Sequence, residues 1–398
     1  MFTLIEDGTV TSPSGFRAGV AAAGIKYQGR LDLGVIASDR PGPIAGVFTR
    51  NVVRSAPVVA CQRRLNSGVG QAVIVNSGCA NACTGPRGAH DAEQMARLAA
   101  SRLGISPEMV YVAGTGVIGT FVPLDRVAAG LSKMALESSG GHDFARAIMT
   151  TDTRAKELAL AVTAPAGCFT IGAAAKGSGM IHPDMGTMLC FITTDASVDG
   201  RFLQAALGRV TDRTFNMVSV DGDTSPSDTV LLLANACSGH PTIGADGGQE
   251  FEEALLEVCT RLAMSIAADG EGATKLFEVI VTGAASESDA RRAARCVAGS
   301  SLVKTAIHGA DPNWGRLVCA VGRSGAAMDP DRVSLSLNDV PVMSRGMPAP
   351  FDEAALRRSL EADHVRAHID LHIGPASATA WGCDLSHEYV TINASYTT

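Results

Sequence analysis

The chain has 398 residues, 46% of them hydrophobic and 18% charged, with a net charge of −7. This is a globular composition, long enough for two or three domains. With no basic run it argues against nucleic acid or an anionic membrane as the main partner.

The ten cysteines are scattered and form no C-x-x-C pair; Cys79 and Cys83 lack a matching second pair. They read as reduced core thiols, not as a disulfide framework or a zinc site. The opening stretch MFTLIEDGTVTSPSG is acidic and has no apolar signal-like core, and no apolar run reaches the roughly 18 residues of a membrane span. A soluble, cytoplasmic protein is expected.

In chain order, residues 17–60 read as strands, with Arg40-Pro41-Gly42-Pro43 as the breaker between LDLGVIASD and AGVFTRNVV. QAVIVN (71–76) is a buried-type strand that runs into the small-residue loop NSGCANACTGPRG. A helix is predicted from about Ala89 to Leu103, with Gly104 as its stop. Strand MVYVAG (109–114) enters the loop GTGVIG, and the next helix begins after Pro123. GTGVIG has the G-x-G-x-x-G spacing of a dinucleotide loop, but the helix does not open on its third glycine and Glu137 lies in a helical pattern. The same turn has a second use: the consecutive amides of Thr115 and Gly116 can hold a developing oxyanion.

Residues 174–194, AAKGSGMIHPDMGTMLCFITT, carry the strongest chemical signal. A glycine-rich loop containing Lys176 meets an apolar strand, and Gly186–Thr187 stands at the junction. A hydroxyl preceded by glycine is what a self-cleaving precursor needs. The threonine hydroxyl attacks the preceding carbonyl, the peptide becomes an ester, and water releases a chain beginning at Thr187. Glycine leaves that carbonyl unobstructed. The freed α-amine, with an ordinary pKa of about 7.7–8.0, then serves as the base for its own hydroxyl. A plain turn into a buried strand gives the same local pattern, so this stretch alone does not decide between them.

Downstream, a helix (201–215) precedes MVSVDGDTSPSDTVLLLAN, whose aspartates admit a calcium reading but lack the EF-hand spacing; turn and cap chemistry is the alternative. A helix over 249–268 ends at DGEGATK, which lacks the P-loop spacing but holds Glu271 between Gly270 and Gly272. Then come strand LFEVIVTGA, a helix capped near Ser286, a strand–loop–helix over 302–325, a hairpin turning at Asn338–Asp339, and a short helix FDEAALRRSLEA. The three histidines of HVRAHIDLHI fit the wet face of a strand better than a metal helix, and no metal is expected. EYVTINASYTT reads as a final strand. Irregular alternation of strands and helices points to an α/β (α+β type) protein of mixed sheets covered by helices.

Taken together, these stretches resemble the ornithine acetyltransferase family, also called glutamate N-acetyltransferase. The resemblance runs nearly end to end through AGIKYQGRLDLGVIASDRPGPIAGVFTRN, NSGCANACTG, GTGVIG, IMTTDT, KGSGMIHPDMGTML, VDGDTSPSDTVLLLAN, DGEGATK, LVKTAIHGADPNWGR and WGCDL…YVTINASYTT. It implies an αββα-like sandwich and autocatalytic cleavage between Gly186 and Thr187. The products would be 1–186, with the oxyanion loop and the lysine, and 187–398, with the nucleophile, the Glu271 loop and the C-terminal contacts.

By the same resemblance Thr187 is the nucleophile and Thr115 and Gly116 form the oxyanion hole. Thr150, Lys176, Thr187, Glu271, Asn393 and Thr398 contact substrate. The implied reaction is ping-pong acetyl transfer from N-acetylornithine to glutamate through an acetyl-Thr187 ester, within arginine biosynthesis. It needs no cofactor, with acetyl-CoA an additional donor in some members. Two copies of each cleaved chain assemble. The chain departs from the family's usual alanine at Gly186 and from its usual tail at Ser395 and near Thr397. Rival readings are a self-processing N-terminal-threonine amidohydrolase or aminopeptidase, an acetyltransferase of specialised metabolism, and a non-catalytic nucleotide-binding module.

Overall fold

The structure, a computed structural model, describes residues 1–182 and 188–395. β1 (Phe2–Ile5), β2 (Phe16–Ala21) and β3 (Leu33–Phe48) open the chain. The break expected at Arg40–Pro43 is absent: β3 is one 16-residue strand. α1 (Ala56–Arg64) and β4 (Val69–Cys79) follow. The register of β3 on β4 shifts between Ala37 and Gly42, and prolines that cannot donate to a ladder are tolerated at such an irregularity.

α2 (Gly85–Leu103) starts four residues before the expected Ala89, with a proline in its first turn where the missing N–H costs nothing; it stops on Gly104 in the left-handed conformation (φ 70°). Next come β5 (Val110–Val117), α3 (Leu124–Lys133), α4 (Gly141–Ala147), β6 (Lys156–Ala164) and β7 (Gly167–Lys176).

After residues 183–187 the order is β8 (Leu189–Thr194), α5 (Gly200–Arg213), β9 (Val218–Ser219), β10 (Thr229–Ala234), α6 (Gln249–Ala268) and β11 (Leu276–Ala284). α7 (Glu287–Ala298) begins on the expected Ser286 cap, whose side chain accepts from Asp289 N. The strand expected next is instead α8 (Ser301–His308), followed by α9 (Trp314–Gly322). Val303, Ala306 and Ile307 are its buried apolar positions, a helical period hidden in a β-branched run. β12 (Ser334–Leu337) and β13 (Val340–Ser344) form the expected hairpin, with Asn338 and Asp339 both at positive φ. β14 (Met347–Pro348), α10 (Glu353–Ser359), β15 (His364–Asp370), β16 (Ala376–Cys383) and α11 (His387–Ser395) complete the chain. The final element is therefore a helix, not a strand. None of its residues is buried, so no burial period marked it in the sequence.

Nine strands form one mixed sheet, ordered β1-β6-β7-β8-β10-β3-β4-β5 with β2 on β3. β3 bridges two halves. Its first half pairs with β2 and β4, its second half with β10. The halves fold over one another, because Ile36, Val73, Val75 and Tyr111 of one share a core with Phe191, Leu231 and Leu233 of the other. α2 and α3 pack outside the first half, and α5 and α6 outside the second. This is an αββα sandwich, as expected. Beyond α6 a seven-stranded sheet, β14-β13-β12-β15-β11-β16-β9, packs on α6 and α7 through Phe277, Val279 and Val281. Its histidines are on the wet face: His368 bonds Thr282 at 2.9 Å and His364 pairs with Glu278 at 3.2 Å.

Candidate active site

One cleft gathers residues from five separate stretches. Its lining includes Thr115 and Gly116 at the end of β5, Thr150 after α4, Lys176 at the end of β7, Glu271 after α6, and Asn393 on α11. All six were singled out from the sequence. Gly186, Thr187 and Thr398 lie outside the described residues. A larger groove of about 700 Å³ runs beside α5 and α6, lined by Arg201, Phe202, Gln249 and others and spanned by an Arg209–Glu252 ion pair; it contains none of this chemistry.

Strand pairing explains the first convergence. β7 and β8 are antiparallel neighbours with Lys176 opposite Leu189, so the end of β7 faces the start of β8. Parallel pairing of β4 with β5 sets Gly78 beside Gly116. Gly116 has φ 125°, and a Cβ there would lie 2.4 Å from the Gly78 carbonyl carbon, so only glycine fits. Gly114 and Gly116 lie inside β5 and α3 opens only at Leu124; no helix N-terminus meets this glycine pattern as a dinucleotide loop requires.

Lys176 is 2% exposed, and its Nζ donates to Thr115 Oγ1 at 3.4 Å. Burial presses its pKa below the ordinary lysine value; Asp152, Asp228 and Glu271 oppose that shift while Lys156 adds to it. Glu271, 7% exposed, accepts from Asn393 Nδ2 at 2.8 Å. Its backbone N–H donates to Ser178 O at 2.9 Å. Gly179 permits this approach, since a Cβ there would fall 2.4 Å from the Glu271 carboxyl carbon.

Sequence reading missed the buried charge network beneath the cleft. Lys156 Nζ bonds Asp152 Oδ1 at 2.7 Å and Asp269 Oδ2 at 2.5 Å, and all three side chains are 4% exposed or less. Asp152 also accepts from Gly177 N at 2.7 Å and Thr150 N at 3.0 Å. Asp269 accepts from Thr153 N at 3.1 Å, and its carbonyl from Ser178 Oγ at 2.7 Å. One lysine thus ties together the loops bearing Thr150, Lys176 and Glu271. The available signal was the clustering of these acids inside IMTTDT and DGEGATK.

The aspartates of the 221–228 loop serve backbone amides. Asp221 accepts from Met180 N and from Ile181 N at 2.5 and 3.0 Å, and Asp228 from Met188 N at 3.0 Å. Burial pushes the Asp221 carboxyl up to about 6, against those amide bonds. Among the described residues no cluster of three histidines, cysteines or acids is placed to hold a metal, and no helix is long and apolar enough to cross a membrane.

With this geometry in hand, comparison with known proteins is direct. The chain is 54% identical to the arginine biosynthesis bifunctional protein ArgJ of Symbiobacterium thermophilum over 397 residues, covering 98% of this chain and 99% of that one. It is 49% identical to the protein of the same name from Dehalococcoides mccartyi, covering 99% and 98%. Among solved structures, ArgJ of Bacillus halodurans aligns with a TM-score of 0.51 at 44% identity, covering 52% of this chain and 98% of that chain. The ArgJ family profile matches residues 17–398, so the chain belongs to the ArgJ family.

Proposed function

We propose that this protein is the acetyl-transferring enzyme of arginine biosynthesis in its family: a glutamate N-acetyltransferase that moves the acetyl group of N-acetylornithine to glutamate. The observation that carries the reading is the convergence of Thr115, Gly116, Thr150, Lys176, Glu271 and Asn393 on one cleft beside the start of β8, in a chain of this family.

In this reading the precursor cleaves itself between Gly186 and Thr187, giving chains 1–186 and 187–398. The full-length relatives against a solved chain matching about half of this one accord with a cleaved precursor. Thr187 attacks the acetyl carbonyl of N-acetylornithine and its α-amine takes the hydroxyl proton. The amides of Thr115 and Gly116 stabilise the tetrahedral oxyanion, a donor of this kind being worth about 2.7–4 kcal/mol. The α-amine returns the proton to the departing ornithine nitrogen, leaving an acetyl ester on Thr187. Glutamate then enters, its amine attacks the ester, and N-acetylglutamate leaves.

The charges of the cleft suit these substrates. Lys176 pairs an α-carboxylate and Glu271 receives the side-chain ammonium of ornithine. Asn393 reaches the cleft from the C-terminal helix, Thr398 is the further substrate contact of this reading, and exclusion of water limits loss of the acetyl group. The cycle uses no cofactor. Two copies of each chain assemble in the cytoplasm.

Intact mass and N-terminal sequencing of the purified protein, beside Thr187→Ala, test the reading. Two fragments, the second beginning Thr187-Met188-Leu189 and absent in the variant, together with transfer of labelled acetyl from acetylornithine to glutamate, are expected. An uncleaved wild-type chain without an acetyl ester would overturn it.

A further inference from the structure

We infer that Asp228 is a positioning residue for the Gly186–Thr187 junction, holding Met188, the residue after the proposed nucleophile, in ladder register for self-cleavage. The inference rests on the N-terminal-threonine reading and adds to it a residue outside its substrate and oxyanion contacts.

β8 and β10 run parallel, with Thr229 opposite Leu189. One residue earlier the regular pairing stops, yet Met188 is held on both of its backbone groups. Its carbonyl accepts from Thr229 N at 3.1 Å, and its N–H donates to Asp228 Oδ1 at 3.0 Å. The Asp228 carbonyl is turned to its other neighbour, accepting from Thr49 N at 3.1 Å, and its side chain is what holds the Met188 N–H on the β10 side.

Asp228 is fully buried and Met188 is 3% exposed, so no water competes for the bond. On the other side β7 sets Lys176 opposite Leu189, so the residue that follows Met188 is fixed from two strands. Burial pushes the Asp228 carboxyl well above the usual carboxylate range, against the pull of the Met188 N–H. An amide oxygen in the same place would do the same work, and a methyl would not.

The test uses full-length Asp228→Asn and Asp228→Ala beside wild type, following the first-order appearance of the two fragments by intact mass after synthesis. The same two changes in a Thr187→Ala background, melted by circular dichroism, report folding apart from cleavage. Asp228→Ala is expected to slow cleavage by at least about tenfold while Asp228→Asn stays within about threefold of wild type, with both folded in the Thr187→Ala background. Wild-type cleavage in Asp228→Ala overturns the inference. So does equal slowing in Asp228→Asn, which would indicate proton chemistry at the carboxyl, and so does loss of the folded signal in Asp228→Ala, which would assign the residue to folding. Failure of wild type itself to cleave would instead remove the N-terminal-threonine reading beneath it.

Discussion

Asn393 Nδ2 donates to Glu271 Oε2 at 2.8 Å, joining the exposed terminal helix to a carboxylate in the cleft across 122 residues of sequence. α11 buries none of its own side chains, so its docking depends on few bonds: this one and, from the residue just before the helix, Ser386 Oγ to Gly272 O at 2.6 Å. Asn393→Ala is therefore expected to leave the melting temperature unchanged and to raise KM for N-acetylornithine by about tenfold, the equivalent of about 1.4 kcal/mol. Steady-state kinetics with both substrates checks it. An unchanged KM would separate α11 from substrate binding.

Gly179 and Glu271 provide a second, sharper separation of fold from function. A methyl at Gly179 collides with the Glu271 carboxylate and with no backbone atom among its three nearest neighbours. The carboxylate is the far end of a flexible side chain and swings away at small cost. Gly179→Ala should fold with a stability change under about 1 kcal/mol, yet lose about tenfold or more in kcat/KM for the ammonium-bearing substrate. Gly116→Ala makes the contrast: its methyl meets the backbone of Gly78 and Cys79 at a φ of 125°, so the variant should fail to accumulate as folded protein. Urea unfolding and kinetics on the two variants give the comparison.

Cleavage between Gly186 and Thr187 would cut the link between two strands that remain paired. β7 lies against β8 from Ile171↔Thr194 to Lys176↔Leu189, and β3 against β10 from Phe48↔Thr229 to Ile44↔Leu233. The two products thus share one sheet and one core, in which Ala173 and Ala175 pack with Cys190 and Ile192. They should elute as one species in native size-exclusion chromatography, run as two bands in denaturing gels, and unfold in a single transition. Separation of the chains without denaturant would contradict this pairing.

How much of this was legible in the sequence differs by element, for physical reasons. α6 and β11 match their expected limits because long amphipathic or apolar runs bounded by glycine are local signals. α8 was misread because Val303, Thr305 and Ile307 suggest a strand, and only tertiary burial of one side reveals the helix. α11 was misread because an exposed helix has no burial period to display. The six cleft residues were legible through family motifs, each a local string. The Lys156–Asp152–Asp269 network was not, because its partners are 4 and 113 residues away and become a network only when β6 and the end of α6 meet.

That network has a defined response to acid. Burial alone would raise the Asp152 carboxyl, but the Lys176 and Lys156 ammoniums beside it, with the bond from Lys156, hold it at about 2, below the ordinary 3.8. With the folded value below the unfolded one, the unfolded chain takes up the proton first as pH falls. The contribution to stability is therefore full above about pH 4 and is lost as pH falls toward 2, and it amounts to about 2–3 kcal/mol. Asp152→Asn should remove that dependence, so the stability gap between wild type and variant narrows from pH 5 to pH 2. At pH 7 the variant leaves Lys156 and Lys176 with one counter-charge fewer, and breaking a buried pair costs about 3–5 kcal/mol. Urea midpoints at several pH values measure both effects. A gap that stays constant with pH would mean that Asp152 does not titrate against its lysines, and that Thr150 and Gly177 hold it by their amide bonds alone.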